Sequence, residues 1–175
     1  MSDKTPKEGT TPDADGFTDN VNARLDKVLR VAIPAKFVDV LAANYPEHKG
    51  RVVLVPGKDC VRVFPVPVWE VEKERLLKLD SLNPKVAKLR RVVFGNKKEC
   101  TLDPQNRVRL SEQQVKNGKL RDDKPAEGDE TSTEVAVVGQ IDRLEIWNYQ
   151  RWCSYNEGID VDEAFGEVFS EAGLV

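Results

Sequence analysis

The chain has 175 residues, 39% hydrophobic and 33% charged, with a mean hydropathy of -0.51. That suits one ordinary core, or two small halves sharing one, and no apolar run approaches the ~18 residues of a membrane helix, so a membrane protein is not expected. A net charge of -3 conceals segregation: residues 1–23 carry two Lys against five acids, 24–121 carry 22 Lys/Arg against 11 acids, and 122–175 carry three against 14. A basic middle between acidic ends fits either a polyanion-binding surface or opposite charges meeting within an oligomer.

Residues 1–16, "MSDKTPKEGTTPDADG", are rich in Thr, Pro, Asp and Gly and read as a disordered tail. They hold no apolar h-region and no Arg, so neither a secretory signal nor a transit peptide is expected, and the cytoplasm is the expected compartment. A strand ending at Leu25-Asp26 then turns over three residues into a second short strand, Arg30 to Ile33, whose side chains alternate between faces. Pro34 is placed as the first helical residue of "PAKFVDVLAANY". Two strands, "RVVLV" and "CVRVF", flank "PGKD" with the alternation of a sheet that buries one face. A helix over "WEVEKERLLKL" follows, and Asn83-Pro84, an N-cap followed by Pro, opens a second that ends at Gly95.

The order then begins again. Leu102-Asp103 turns into Arg107 to Leu110, Ser111 can N-cap "EQQVKN" before Gly118, and "EVAVV" and "RLEIW" flank "GQID". Asn148 can cap "YQRWCSY", and Asp160 with Glu163 has the spacing of a capping box ahead of "AFGEVFSEAG". Asp26 and Arg30 match Asp103 and Arg107 at an offset of 77; Asp59, Phe64 and Trp69 match Asp142, Trp147 and Trp152 at an offset of 83. The six extra residues fall in "GKLRDDKPAEGDETST", a surface loop by composition. Such an insertion costs little, since each doubling of loop length adds only about 0.6 kcal/mol. Strands this short bury too little surface to close a core within one copy. The two copies are therefore expected to interleave around one small β-barrel with a pseudo-two-fold axis, an α+β fold.

Asp and Arg separated by three residues can reach one another across a tight turn, the carboxylate satisfying exposed amides while it orients the guanidinium. The pair has a purely structural reading, as a turn salt bridge worth about 0–1 kcal/mol. Its functional reading projects Arg30, with Arg24 and Lys27 nearby, toward DNA, where Arg can pair bidentately with a guanine edge. No other constellation carries chemistry. His48 stands in "YPEHKG" without a second His, the three Trp recur at packing positions, and Asp122-Asp123 sit in a polar insertion. Cys60, Cys100 and Cys153 form no Cys-x-x-Cys pair and are expected to be reduced and mostly buried. No phosphate-cradling Gly-rich loop is present. Neither an enzyme, a cofactor, a metal nor a small-molecule substrate is expected.

"FTDNVNARLDKVLRVAIPAKF" (17–37), "SLNPKVAKLRRVVFGNKKECTLDPQNRVRL" (81–110) and "VVGQIDRLEIWNYQRW" (137–152) together resemble the MraZ family of bacterial transcriptional regulators, whose members carry two Asp-x-x-x-Arg copies. The resemblance spans about residues 17–155, in order and with the family's spacing. It implies a double-split β-barrel of the AbrB-like swapped-hairpin type, with repeats at 17–94 and 95–155 and a C-terminal helix over 156–175. It further implies a ring homo-oligomer, cytoplasmic and nucleoid-associated, binding short tandem repeats in double-stranded DNA upstream of the division and cell-wall gene cluster. Carried over by position, the motif residues are Asp26, Arg30, Asp103 and Arg107, the acids orienting rather than contacting; Arg24, Lys27 and Arg109 are adjacent candidates for phosphate. The family's turn glycine is Leu29 here and Asn106 in the second copy. Leu tolerates positive φ poorly, so Leu29 is expected either to take an ordinary conformation or to force a rebuilt turn. Arg90-Arg91 is a second basic cluster, expected at a subunit interface with acidic C-terminal residues as partners, with DNA contact as the alternative. The alternatives are a ring scaffold that has lost specific DNA binding, and an AbrB-like antitoxin. The antitoxin usually has one copy and a long disordered tail, whereas this chain has two copies and a helical end.

Overall fold

The computed structural model describes residues 15–121 and 133–174; the tail expected at 1–16 and the polar insertion lie largely outside them. The first copy runs β1 (Asn20–Leu25), β2 (Arg30–Ala32), α1 (Ala35–Asn44), a 3-10 turn (Pro46–His48), β3 (Arg51–Pro56), β4 (Cys60–Pro65), α2 (Val66–Lys78) and α3 (Pro84–Gly95). The second repeats it as β5 (Lys98–Thr101), β6 (Arg107–Arg109), α4 (Glu112–Asn117), β7 (Thr133–Gly139), β8 (Leu144–Asn148) and α5 (Tyr149–Asn156), followed by α6 (Val161–Glu171).

Four helix starts, those of α3 to α6, are set by the side chains read from the sequence. The Ser111 hydroxyl accepts from the Gln114 N–H at 3.2 Å while the Gln114 side chain accepts from the Ser111 N–H at 3.0 Å, a complete capping box. Asn83, Asn148 and Asp160 each accept from a first-turn amide, at 2.9, 3.1 and 3.0 Å. Pro34 departs from expectation. With ψ 142° it is the N-cap of α1 rather than its first helical residue, its carbonyl accepting from Phe37 and Val38 N–H at 2.9 and 3.1 Å. Pro65 does the same for α2 with ψ 144°. In both places a strand feeds almost directly into a helix, and the junction residue must stay extended.

The strands form one eight-stranded antiparallel sheet in the order β5-β3-β4-β8-β7-β1-β2-β6. The copies exchange hairpins: β1 lies along β7 of the second copy, and β5 along β3 of the first. The central pairs are β2 with β6 and β4 with β8, so interchanging the copies returns the same pairing and defines the pseudo-two-fold axis. At the open end, the Asp103 N–H donates to the Arg107 carbonyl at 3.0 Å, as the Asp26 N–H does to Arg30 at 2.9 Å. That turn brings β6 back toward β5 and nearly closes the barrel.

Because each copy supplies half of every wall, the core is common property. Val31, Leu54 and Val63 of the first copy pack in one cluster with Val108, Val137 and Ile146 of the second, none more than 2% exposed. Each such side chain contributes about 1.5–3 kcal/mol when buried, and neither copy alone could cover its own. Flanking packing is duplicated as well. The Phe64 and Trp69 rings lie 5.9 Å apart at 52°, and the matched Trp147 and Trp152 lie 5.8 Å apart at 55°. All three cysteines are free thiols. Cys60 is buried, and burial, with Glu145 nearby, pushes its thiol up to about 12; Cys100 and Cys153 are half-buried. No helix among the described residues is long and apolar enough to cross a membrane.

Candidate nucleic-acid interface

In the first turn, one oxygen of Asp26 accepts from the Val28 and Arg30 N–H groups at 3.0 and 2.8 Å, and the other accepts from the Arg30 Nε at 2.8 Å. In the second, Asp103 accepts from the Gln105 and Arg107 N–H groups at 2.9 Å each, and from the Arg107 Nε at 2.7 Å. Three charge-assisted bonds on one carboxylate fix turn and guanidinium together. Partial burial pushes both carboxyls up, but the bonds from backbone and Arg, with the Arg charge, outweigh it and hold both below the usual Asp value. Arg30 and Arg107 are thus aimed by the turn rather than left to sample rotamers.

Leu29 contradicts the expectation. Its φ is 65°, close to the 57° of Asn106, and the turn is not rebuilt. A left-handed Leu costs about 1–2 kcal/mol. Here the Leu29 side chain is 8% exposed and joins the shared core, and its carbonyl accepts from the Leu110 N–H at 2.8 Å. Burial of the side chain offsets the strain, and the Asp26 bonds hold the conformation.

The turns lead into β2 and β6, which pair Arg30 with Arg109, Val31 with Val108, and Ala32 with Arg107. Val31 and Val108 point into the core; the other four positions face outward. Guanidinium-bearing residues therefore occupy three of the four outward positions of a two-stranded ribbon centred on the pseudo-dyad, with Ala32 at the fourth. Arg30 opposite Arg109 puts like charges across a strand pair, which is unfavourable for folding. The two motif copies meet in one basic patch rather than forming two separate sites.

Of the neighbouring candidates, Lys27 is exposed in the first turn. Arg24 sits on β1 in register with Glu134, 3.9 Å from its carboxylate, one strand away from the ribbon. Three residues at the patch were not singled out in the sequence. Lys98 reaches the Arg109 carbonyl at 2.7 Å, Gln105 accepts from Arg107 Nη2 at 3.0 Å, and Arg121 donates to the Asp26 carbonyl at 3.1 Å. Gln105 could have been found, since it lies inside the motif; Lys98 and Arg121 have no basic counterpart in the first copy.

The Arg90-Arg91 cluster is divided. Arg90 turns inward, its guanidinium donating to the carbonyls of Leu76, Leu77 and Leu79 at 2.8–3.2 Å, so it caps the end of α2 and is not available to another subunit. Arg91 stays exposed. His48 lies in the 3-10 turn beside Glu47, at 3.4 Å.

Comparison with known proteins follows the same lines. A family profile described as "MraZ protein, putative antitoxin-like" matches residues 93–168. A protein named "Transcriptional regulator MraZ" from Clostridium acetobutylicum is 30% identical over 159 residues, covering 90% of this chain and 99% of its own length. Another of that name from Acidithiobacillus ferrooxidans is 34% identical over 139 residues, covering 76% of this chain and 83% of its own. One from Pectobacterium atrosepticum is 27% identical over 150 residues, with 84% and 90% covered.

Proposed function

This chain belongs to the MraZ family, and we propose that it is a transcriptional regulator that binds double-stranded DNA through the β2–β6 ribbon. The observation that carries the reading is the cluster of Arg30, Arg107 and Arg109 on one face of a strand pair, two of them aimed by buttressing carboxylates. A two-stranded ribbon fits the major groove, where Arg reads guanine, and in this reading Lys98, Lys27 and Arg121 beside the ribbon serve flanking phosphates. Asp26 and Asp103 orient and do not contact. The charge serves recognition rather than catalysis, so the reading is of a regulator and not an enzyme, acting in the cytoplasm on the nucleoid.

The finer reading is that several copies close into a ring and engage short tandem repeats upstream of the division and cell-wall gene cluster. One ribbon offers few contacts, and a ring multiplies weak contacts on spaced repeats by effective concentration. Division of the molecule into a first repeat at 17–94 and a second at 95–155 belongs to the same reading. The scaffold alternative depends on a spoiled first turn, and the matching hydrogen bonds of the two turns remove its motive. The antitoxin alternative expects a single copy and a disordered wrapping tail; two copies and a formed α6 speak against it.

The test titrates the protein onto its own upstream region across a salt series, beside a scrambled duplex of equal length. Sequence-dependent binding with a steep salt slope is expected. Arg30→Ala is expected to lower discrimination between the duplexes by about 1–3 kcal/mol while the oligomer's mass is unchanged. Equal, weak binding of both duplexes by the unaltered protein would overturn the reading.

A further inference from the structure

Helix α6 is amphipathic and covers nothing. Val161, Phe165, Val168 and Phe169 fall at positions i, i+4, i+7 and i+8, forming one stripe, yet they are 58, 55, 59 and 39% exposed and no residue of the helix is buried. The Phe165 and Phe169 rings touch each other, 5.4 Å apart, rather than the barrel. An isolated helix of 11 residues is marginal in water, so a partner surface is needed to hold this one. Residues 152–175 contain no Lys or Arg; Asp162 and Glu171 border the apolar stripe, and Glu163 and Glu167 lie on the opposite face.

A surface of opposite character lies on α3, which has no carboxylate at all. With Arg90 turned inward, its outward face presents Leu89 and Val92, 45 and 43% exposed, beside Lys85, Lys88 and Arg91. These cations form no ion pair with any described carboxylate of their own chain. The apolar stripe and acidic border of α6 thus match the apolar pair and basic border of α3.

We propose that α6 of one copy docks on α3 of the next copy of this chain. The two surfaces differ, so the contact is head to tail: every copy offers one of each, and assembly continues until the chain of copies closes on itself. This deepens the ring assembly proposed above and rests on it, but it is independent of DNA reading. It also assigns partners to the two charge blocks, with Arg91 in the contact and Arg90 outside it.

The experiment uses two full-length variants, Phe165→Asp/Val168→Asp and Lys88→Glu/Arg91→Glu, with mass read by light scattering and binding to a duplex carrying a single upstream repeat read in parallel. Each variant alone is expected to fall from the oligomer's mass to that of one chain. Mixed in equal amounts, they should give a two-chain species, because one intact α6 meets one intact α3 and nothing further can add. Both should still bind the single-repeat duplex, which shows folded barrels and separates a failure of docking from a failure of DNA reading. An unchanged mass for Lys88→Glu/Arg91→Glu would overturn the proposal in favour of α6 pairing with itself or with another face. A unaltered protein that is already a single chain would overturn it together with the ring, while leaving the DNA reading to its own test.

Discussion

The two Asp-x-x-x-Arg turns share a backbone and differ in what sustains it. Both place a non-glycine residue in the left-handed region, at φ 65° for Leu29 and 57° for Asn106, and both use one carboxylate to hold two amides and an Arg. Leu29 is buried in the shared core, whereas Asn106 is exposed at the rim of a cleft of about 430 Å³ that is also lined by Tyr45, Lys49 and Leu102. One turn withstands its strain through tertiary burial, and the other avoids most of it through an Asn side chain suited to the conformation. A turn type is therefore a property of its surroundings as much as of its own residues.

Removing what both turns aim is expected to have the largest effect. Arg30→Ala with Arg107→Ala should lose about 1–3 kcal/mol of discrimination per base contact, roughly 5- to 150-fold each, measured as the affinity ratio between upstream and scrambled duplexes. If one single variant reproduces the whole loss and the other changes nothing, only one copy reads DNA.

Next come substitutions that separate the two ways of sustaining the turn. Leu29→Ala keeps a Cβ at positive φ and loses the buried contacts, so denaturant unfolding should show about 2–3 kcal/mol of destabilisation. Leu29→Gly relieves the strain and should be more stable than Leu29→Ala by about 1 kcal/mol, the reverse of the usual order of these residues. Asn106→Leu, with no core to enter, should cost about 1 kcal/mol. Leu29→Gly at or below Leu29→Ala would mean that strain at this site is negligible.

A smaller effect should appear in acid. Asp26 and Asp103 titrate below the usual value in the folded chain, so their contribution is fully present above the unfolded value of about 3.8 and is lost as pH falls through the lower folded values. Thermal melts between about pH 2 and 6 should show that loss, and Asp26→Asn with Asp103→Asn should flatten it; an unchanged acid limb would assign acid sensitivity to other carboxylates. The smallest change completes the symmetry of the ribbon. Ala32→Arg puts a fourth guanidinium opposite Arg107, and if the face meets phosphate the salt slope should steepen by about one. An unchanged slope would place that corner away from the backbone.

The sequence by itself determined the order of elements, the duplication, the capped helix starts and the Asp–Arg pairs, because these rest on interactions within a few residues. Ser111 and Gln114, or Asp103 and Arg107, are already neighbours in any chain that makes the turn. It also showed that each copy was too thin to close a core, which called for interleaving. Only the tertiary structure decided which strands are neighbours, since alternation shows that Val31 is buried and not that Val108 lies across from it. That pairing gathers the two motifs into a single patch with Lys98 and Arg121. It also buries Leu29 deeply enough to hold a conformation its own preference opposes, and turns Arg90 onto the carbonyls of α2. Each of these outcomes is a competition for a partner far away in the chain, and local pattern carries no record of who wins it.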